Sequence, residues 1–165
     1  MLLLHSLNVN GLRTCGRMKN ILSNPACDVL CLQETRWDED SLKAATKINK
    51  GEIYYNNGTN KSCGIATIIN TNMIENSKLI YKDNEGRILI IDIIVNNSTF
   101  RIINVYASNC EKERKEMFNK IGRWVNNKTL IVGDFNTVLT KSDISVNNVY
   151  KNDSSRTALY ELMNN

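Results

Sequence analysis

Four apolar segments of this chain each end in a short run of polar or small residues, and this pattern constrains the fold most. The four junctions lie at residues 7–12, 32–35, 104–109 and 133–136. In open α/β sheets, ligands bind beyond the carboxyl ends of the strands. A rigid strand also fixes the direction of the acid that follows it. The pattern therefore predicts a sheet fold whose strand ends carry a functional site.

The first 33 residues predict a β-α-β unit. Residues 2–9 are apolar and strand-like, and residues 28–33 form a nearly unbroken apolar run that is typical of a buried strand. Between them, Met18, Ile21 and Leu22 fall on one face of a helix that should stop at Asn24 and Pro25. This order favours a parallel pair of strands.

The rest of the chain is rich in predicted strands, namely residues 52–55, 64–70, 79–82, 87–96, 99–107 and 129–135, with a hairpin turn at 96–98. The apolar run within 129–135 predicts that this strand is buried. Residues 111–125 predict a helix with one apolar stripe for the core and solvated charges elsewhere. Residues 155–163 predict a last helix. The expected class is α/β, with two sheets packed face to face as a sandwich and helices outside.

Composition fits one globular domain over residues 1–165. The net charge of +4 is compatible with a phosphate-bearing partner without demanding one. No apolar run reaches membrane-spanning length, and the first four residues are too short for a signal peptide. The five cysteines are odd in number and fit no zinc spacing, so we expect free, mostly buried thiols in a reducing intracellular compartment.

The four junctions, together with a fifth segment, resemble the endonuclease/exonuclease/phosphatase superfamily, whose members include DNase I, abasic-site endonucleases and the endonuclease domains of LINE retrotransposons. The segments that carry the resemblance read LNVNGLR, DVLCLQETRW, SCGIATII, INVYASN and LIVGDFNTVL, and the LINE endonucleases look most similar. The resemblance implies a DNase I-like sandwich and a Mg²⁺-dependent endonuclease, with Mn²⁺ as a substitute, that nicks duplex DNA by metal-assisted attack of water.

The same resemblance implies a metal site. Glu34 matches the metal-binding glutamate of the family, and Asn8 matches the asparagine that orients the metal and the phosphate. Asn10 sits where the family has a second Asn or Asp that contacts phosphate. A hard cation such as Mg²⁺ needs only one or two carboxylates, because it keeps several of its waters.

The resemblance also implies a set of groups around the scissile phosphate. Asp134 matches the aspartate that positions or activates the attacking water, and Asn136 matches the amide that stabilises the pentavalent phosphate. Tyr106 matches a tyrosine that contacts this phosphate. Asn109, which is expected to contact phosphate or DNA, follows in a loop where Ser108 replaces the usual proline. A base, a metal and neutral donors are what phosphodiester cleavage needs.

Several cations could meet DNA phosphates beside this site, although ordinary surface positions explain each of them equally well. They are Arg13, Arg36, Lys61 and Arg156. Trp37 either flanks the substrate or packs in the core.

Two family segments have no match in these residues. The family carries an Asp-His pair on a later strand and a terminal Ser-Asp-His, whereas His5 is the one histidine of the sequence and is expected to be structural. We therefore expect a C-terminally truncated domain that lacks the last strands of the second sheet. The open edge should pair with a second copy or a partner chain.

Three hypotheses follow. The chain is a DNA-nicking endonuclease of retrotransposon origin, acting in the nucleus if its target is genomic DNA. Alternatively, it is a catalytically impaired remnant that is reused for nucleic-acid binding or assembly. In the third hypothesis it is half of a split enzyme that another chain completes.

Overall fold

A computed structural model describes residues 1–23, 25–58, 63–70, 73–147 and 149–164, and these residues form two compact units. The first unit comprises Met1–Tyr106 and Lys128–Asp134, and the second comprises Ala107–Asn127 and Phe135–Asn165. None of the described helices is long and apolar enough to cross a bilayer. All five cysteines are free; three are buried and two are exposed.

The elements follow the chain in the order β1 (Leu4–Asn8), α1 (Cys15–Leu22), β2 (Val29–Gln33), α2 (Glu39–Ile48), β3 (Glu52–Asn56), β4 (Ile65–Ile69), β5 (Asn76–Lys82), β6 (Ile88–Val95), β7 (Ser98–Tyr106), α3 (Glu111–Ile121), β8 (Thr129–Asp134) and α4 (Ser154–Met163). Two 3-10 turns, Gly122–Trp124 and Lys141–Asp143, lie among them.

The first sheet has the strand order β1-β2-β4-β3, in which β1 and β2 are parallel and the other pairs are antiparallel. The parallel pair confirms the predicted β-α-β start. Every residue of β2 and β4 is buried, because both faces of these central strands are covered. On one face, Met18 of α1 and Ala45 of α2 pack with Leu30 and Leu32 of β2.

The second sheet has the order β5-β6-β7-β8, with β7 and β8 parallel. Its inner face packs on the first sheet: Val29 and Cys31 of β2 belong to one buried cluster with Ile91, Ile93 and Ile102 of β6 and β7. The predicted α/β sandwich of two sheets is therefore confirmed.

Two strands at the sheet edges are less buried than their apolar sequences suggest. The strand predicted at 129–135 was expected to be buried, but β8 is only half-buried, and Leu130 is 50% exposed. This expectation was wrong because β8 is an edge strand whose paired strand in the described part of the chain is β7. Leu7 of β1, an edge strand of the first sheet, is 46% exposed.

Helix α2 was not predicted from the sequence. Its N-cap is Asp38, whose side chain accepts a hydrogen bond of 2.8 Å from the Ser41 amide. Two acidic residues in its first turn complement the positive end of the helix dipole. The helix predicted over 111–125 is also shorter, since α3 ends at Ile121 and continues as the 3-10 turn.

In the second unit, Arg114 corrects the expectation that all charges of α3 are solvated. This side chain is only 7% exposed. It donates to a carboxylate oxygen of Asp153 at 2.8 Å, to the hydroxyl of Ser155 at 2.7 Å and to the carbonyl of Ser108 at 2.8 Å. Phe118 and Phe135 pack nearby in the same unit, with ring centroids 6.3 Å apart.

Replacing Asp153 tests this buried ion pair. Burial alone would raise the pKa of Asp153, but hydrogen bonds from Ser155, Thr137 and Arg114 hold it well below its usual range. The stabilisation is therefore present above the ordinary Asp pKa near 4 and is lost as the pH falls below it. Asp153→Asn should lower the free energy of unfolding at pH 7 by about 3 kcal/mol.

Urea unfolding from pH 2.5 to 7 measures this effect. The wild-type stability should fall on the acid side, and the Asp153→Asn profile should be flatter there. Glu161→Gln, at an exposed position of α4, is the matched control and should leave the stability within about 0.5 kcal/mol. Parallel pH profiles for wild type and Asp153→Asn would contradict the account.

Gly133 generates a second prediction, because β7 and β8 approach each other closely at this residue. Its φ is +136°, and a Cβ there would lie 1.9 Å from the carbonyl oxygen of Val105, its partner in the ladder. Gly133→Ala should therefore destabilise the protein by about 2–4 kcal/mol. Gly16→Ala in α1, where a Cβ meets nothing within 4 Å, is the control and should be neutral or stabilising. Equal unfolding midpoints for the two variants would refute the prediction.

Candidate functional site

Four of the predicted site residues meet in the first unit, where strands of both sheets end. Asn8 is the last residue of β1, Glu34 directly follows β2, Tyr106 ends β7 and Asp134 ends β8. Because β1 and β2 run parallel, as do β7 and β8, each pair of strands delivers its terminal side chains to one edge. The strand-end pattern in the sequence therefore identified residues that come together.

The amide of Asn8 connects the two acids. Its Nδ2 donates to Glu34 Oε1 at 2.9 Å and to Asp134 Oδ2 at 2.8 Å. Its Oδ1 accepts from the backbone amide of Asn10 at 2.9 Å, which fixes the orientation of the side-chain amide. Asn8 thus turns its nitrogen, rather than its oxygen, toward the carboxylates.

Glu34 and two loop residues beside it adopt the left-handed backbone conformation, which non-glycine residues rarely occupy. Asn10, Glu34 and Arg36 have φ values of 44°, 53° and 52°. Neighbouring backbone holds them there. The Gly11 amide donates to the Glu34 carbonyl at 2.7 Å, and the Arg36 amide donates to the Cys63 carbonyl at 3.0 Å. Such over-determined strain is typical of functional sites.

Glu34 is surrounded by donors. Burial alone would raise its pKa, but hydrogen bonds from Asn8, Arg36 and Tyr106 outweigh burial and lower it. Its side chain is only 14% exposed. Glu34 is therefore an anion at neutral pH, in a position where water screens it little.

The pKa of Tyr106 is shifted in the opposite direction. Burial, followed by its hydrogen bond to Glu34 and the charge of that carboxylate, raises the pKa of Tyr106 to about 12. The phenol therefore stays protonated at neutral pH and serves as a donor. The guanidinium of Arg87 lies over the ring, with its carbon 5.2 Å from the ring centroid, and the Tyr106 amide donates to the Arg87 carbonyl at 2.8 Å.

Arg87 is a site residue that the sequence reasoning missed. It follows Gly86, whose φ is +72°, and directly precedes β6. A turn glycine followed by an arginine at a strand start was the available signal, but the same pattern is common in ordinary hairpins. Only the register of β6 on β7, which pairs Ile88 with Val105, places this arginine beside Tyr106.

Two of the predicted DNA-binding cations lie in the same unit. Arg36 donates through Nη2 to Glu34 Oε2 at 2.5 Å and to Asn10 Oδ1 at 2.7 Å. Arg13 donates to the carbonyl of Arg36 and lies 3.9 Å from Asp38, with 46% of its side chain exposed. Asn10 is exposed and is held by Arg36. Phosphate binding by these three residues stays a prediction.

The donor atoms fit a small, hard divalent cation. The Glu34 and Asp134 carboxylates converge on one Asn8 nitrogen. The side-chain oxygen of Asn10 accepts from the same Arg36 nitrogen that donates to Glu34. Oxygen donors with only one or two carboxylates suit Mg²⁺, which retains water ligands. The described residues contain no cluster of three His, Cys, Asp or Glu side chains of the kind that encloses a metal fully.

The remaining predicted residues lie in the second unit. Asn136, with φ of 46°, donates from Nδ2 to the Ala107 carbonyl at 2.7 Å. Asn109 is exposed, and its carbonyl accepts from Arg114 at 3.2 Å. Arg156 donates to the Val138 carbonyl at 2.7 Å and stacks on Tyr150. These contacts order the loops that carry Asn109 and Asn136.

Three further sequence expectations have different outcomes. Trp37 is 4% exposed and donates to the Leu12 carbonyl at 2.8 Å, so it packs in the core and does not flank a substrate. His5 is exposed in β1. Lys61 lies outside the described residues.

Comparison with known proteins identifies relatives of this chain. A family profile described as "Endonuclease/Exonuclease/phosphatase family" matches residues 5–158. The Transposon TX1 uncharacterized 149 kDa protein of Xenopus laevis is 30% identical over 167 residues, which cover 96% of this chain and 12% of that protein. The chain therefore spans about an eighth of the length of this relative.

Solved structures share the fold. An AP endonuclease from Leishmania major has a TM-score of 0.70 at 17% identity, covering 98% of this chain and 65% of the other. A 3′ phosphatase from Neisseria, bound to a product DNA hairpin, has a TM-score of 0.74 at 19% identity, with 99% and 71% covered. At these identities the likeness establishes the fold.

The raised pKa of Tyr106 can be measured directly. We expect the Tyr106 resonance in ¹³Cζ-tyrosine NMR, assigned with Tyr106→Phe, to titrate near pH 12 in the folded protein. Glu34→Gln should lower this pKa but leave it above the usual tyrosine value near 10, because burial is the largest cause. The linked stabilisation is present below pH 10 and lost as the pH rises toward 12. A wild-type Tyr106 that titrates at 10 would refute the contact with Glu34.

Proposed function

Since the chain belongs to the endonuclease/exonuclease/phosphatase family, we propose that it acts as a divalent-metal-dependent phosphodiesterase that nicks DNA, of retrotransposon type. The observation that carries this proposal is the convergence of Glu34 and Asp134 on Asn8, with the neutral Tyr106 phenol donating to Glu34. This arrangement combines anionic oxygens for a cation, a candidate base and a protonated donor in one place.

Within the proposal, Glu34 would hold Mg²⁺ or Mn²⁺, and Asn8 would belong to the metal site by orienting both carboxylates through its Nδ2. The bound metal would supply Lewis-acid stabilisation of the phosphate oxygens. Asp134 accepts a proton from the attacking water, since it lies at the end of a rigid strand and Asn8 fixes its second oxygen. The Tyr106 hydroxyl stays protonated and donates to the phosphate when the substrate enters.

The family resemblance alone assigns two further residues, both neutral donors, to this proposal. Asn136 supplies the amide that stabilises the phosphate in the transition state, and Asn109 contacts the substrate strand. Support comes from the family resemblance of the GDFN and YASN segments and from the ordered loops. Asn136 is fixed by the Ala107 carbonyl, and the Asn109 loop by the buried Arg114. Ordered neutral donors can stabilise developing charge at little reorganisation cost.

DNA is the proposed substrate, with Asn10, Arg13 and Arg36 as phosphate contacts. The relatives support it: one is an AP endonuclease, another was solved with a DNA hairpin, and a third is a transposon protein. The net charge of +4 is compatible with this partner. We also propose an intracellular, reducing location, in the nucleus for a genomic target, and five free cysteines support it.

A second candidate is binding of nucleic acid with impaired hydrolysis. One observation favours it: the site residues described above include no histidine. The single histidine of the sequence, His5, is exposed in β1. Completion by another chain or a second copy is a variant of this candidate. It is supported by Leu7 and Leu130, which are about half-exposed on the edge strands β1 and β8.

Plasmid nicking separates the two candidates. With Mg²⁺, the chain should convert supercoiled plasmid to open circles, and Glu34→Gln should slow this by roughly 10²–10⁴-fold. The amide is nearly isosteric but removes the negative charge from the metal site. Glu39→Gln, an exposed change in the first turn of α2, is the matched control and should nick at the wild-type rate.

Fluorescence anisotropy with a labelled duplex completes the design. Saturable, salt-sensitive binding without nicking, at any protein concentration, would favour the second candidate. Nicking only at concentrations where gel filtration shows a dimer would favour completion by a second copy. Nicking that survives Glu34→Gln unchanged would exclude this site as its source.

A further inference from the structure

A guanidinium nitrogen lies between two of the oxygens assigned to the metal and phosphate site. Arg36 Nη2 is 2.5 Å from Glu34 Oε2 and 2.7 Å from Asn10 Oδ1. Both oxygens direct lone pairs at this single nitrogen, and the other Glu34 oxygen accepts from Asn8. The charged side chain therefore takes up donor capacity that a divalent cation would use.

The backbone of Arg36 is fixed, whereas its guanidinium is only partly satisfied. The residue has φ of 52°, its amide donates to the Cys63 carbonyl at 3.0 Å and its carbonyl accepts from Arg13. By contrast, Nε is buried without a hydrogen-bond partner within the described ranges. An unsatisfied buried donor on a charged group is costly, which favours rearrangement when another arrangement becomes available. The side chain, 36% exposed, has solvent to move into.

Charge balance explains why a cation belongs at this place. The carboxylates of Glu34 and Asp134 converge on one amide nitrogen, so without a positive charge they would repel each other in a poorly screened setting. Asn8 and Tyr106 contribute neutral donors, and Arg36 contributes the full charge that directly contacts Glu34. A divalent metal ion would also supply positive charge at these oxygens.

We infer that Arg36 is a resident counter-cation of the site, which holds Glu34 and Asn10 in place and must leave them before a divalent cation binds. The inference rests on the proposed metal site and adds how that site is regulated. The displaced guanidinium, tethered two residues from Glu34, remains available for an anionic substrate. Metal binding is weakened by the competition, and the free site stays organised.

Mn²⁺ binding, followed by the EPR signal of the free ion, tests the inference without any turnover. Arg36→Gln should bind Mn²⁺ about tenfold tighter than wild type, which corresponds to about 1.4 kcal/mol. Arg36→Lys, which keeps the charge, should stay within about threefold of wild type. Lys43→Gln removes one positive charge from an exposed position of α2 and controls for net charge, so it should not alter the affinity.

A second measurement uses the wild-type protein alone. The Arg36 Nε–H resonance in ¹⁵N NMR should shift saturably during a Mg²⁺ titration, with the same dissociation constant as the Glu34-dependent binding. An unshifted resonance at saturating Mg²⁺ would overturn the inference. This readout does not depend on whether Arg36→Gln folds, and circular dichroism of each variant checks that point.

The outcomes separate the inference from the proposed function. Equal or weaker Mn²⁺ binding by folded Arg36→Gln overturns the inference and leaves the metal site standing. Absence of Mn²⁺ binding in both proteins overturns the inference and the metal-dependent function together. Tighter Mn²⁺ binding by Arg36→Gln than by wild type supports the inference. If the wild-type protein then nicks no plasmid, that result contradicts only the catalytic proposal.

Discussion

The hydrogen bonds from the Asn8 amide to two carboxylates are the interaction on which the rest of this site depends. Glu34 follows a strand of the first sheet, and Asp134 ends a strand of the second. One nitrogen bonds both acids, so their separation is set by how the two sheets pack. Core residues such as Cys31 and Ile102, remote from the site chemistry, thereby determine its geometry.

Bringing two like charges together requires compensation, and the chain supplies it in three forms. Asn8 contributes a dipole, Tyr106 a protonated hydroxyl and Arg36 a full positive charge. The hydrogen bonds outweigh burial at Glu34 and lower its pKa, whereas burial and the adjacent carboxylate raise that of Tyr106. Glu34 is therefore an anionic acceptor and Tyr106 a protonated donor, side by side, over the whole neutral range.

The sequence predicted the sheets and the meeting of the four strand ends, because both depend on local patterns. Continuous apolar runs such as that of β2 are visible without tertiary information, and so is Glu34 directly after it. The helix α2 was missed because its start, with Asp38 as N-cap, reads as a polar loop. Arg87 and Arg114 could not be assigned, since their roles arise from a strand register and from a buried partner far along the chain.

The exposure of the edge strands is another feature that the sequence could not predict. The apolar content of β8 predicted that this strand is buried. Burial depends on what covers a strand, and the residues that flank Leu130 in the sequence do not show that β8 lies at a sheet edge. The sequence pattern gives the side-chain alternation of a strand, while the strand order gives its coverage. Edge position is a property of topology and cannot be read from composition.

A buried polar pair beneath the site explains why the strand ends meet in this register. Gln33 Nε2 donates to Asn104 Oδ1 at 2.8 Å, and Asn104 Nδ2 donates to the Ala66 carbonyl at 2.9 Å, so the pair joins the two sheets. Side chains two residues apart on a strand share a face, and Tyr106 therefore faces the first sheet as Asn104 does. Glu34 directly follows Gln33, but its left-handed backbone, with φ of 53°, departs from strand alternation, and its carboxylate accepts a hydrogen bond from the phenol. An apolar pair at these positions would pack as well but would tolerate sliding, whereas unsatisfied buried amides would penalise every register but this one.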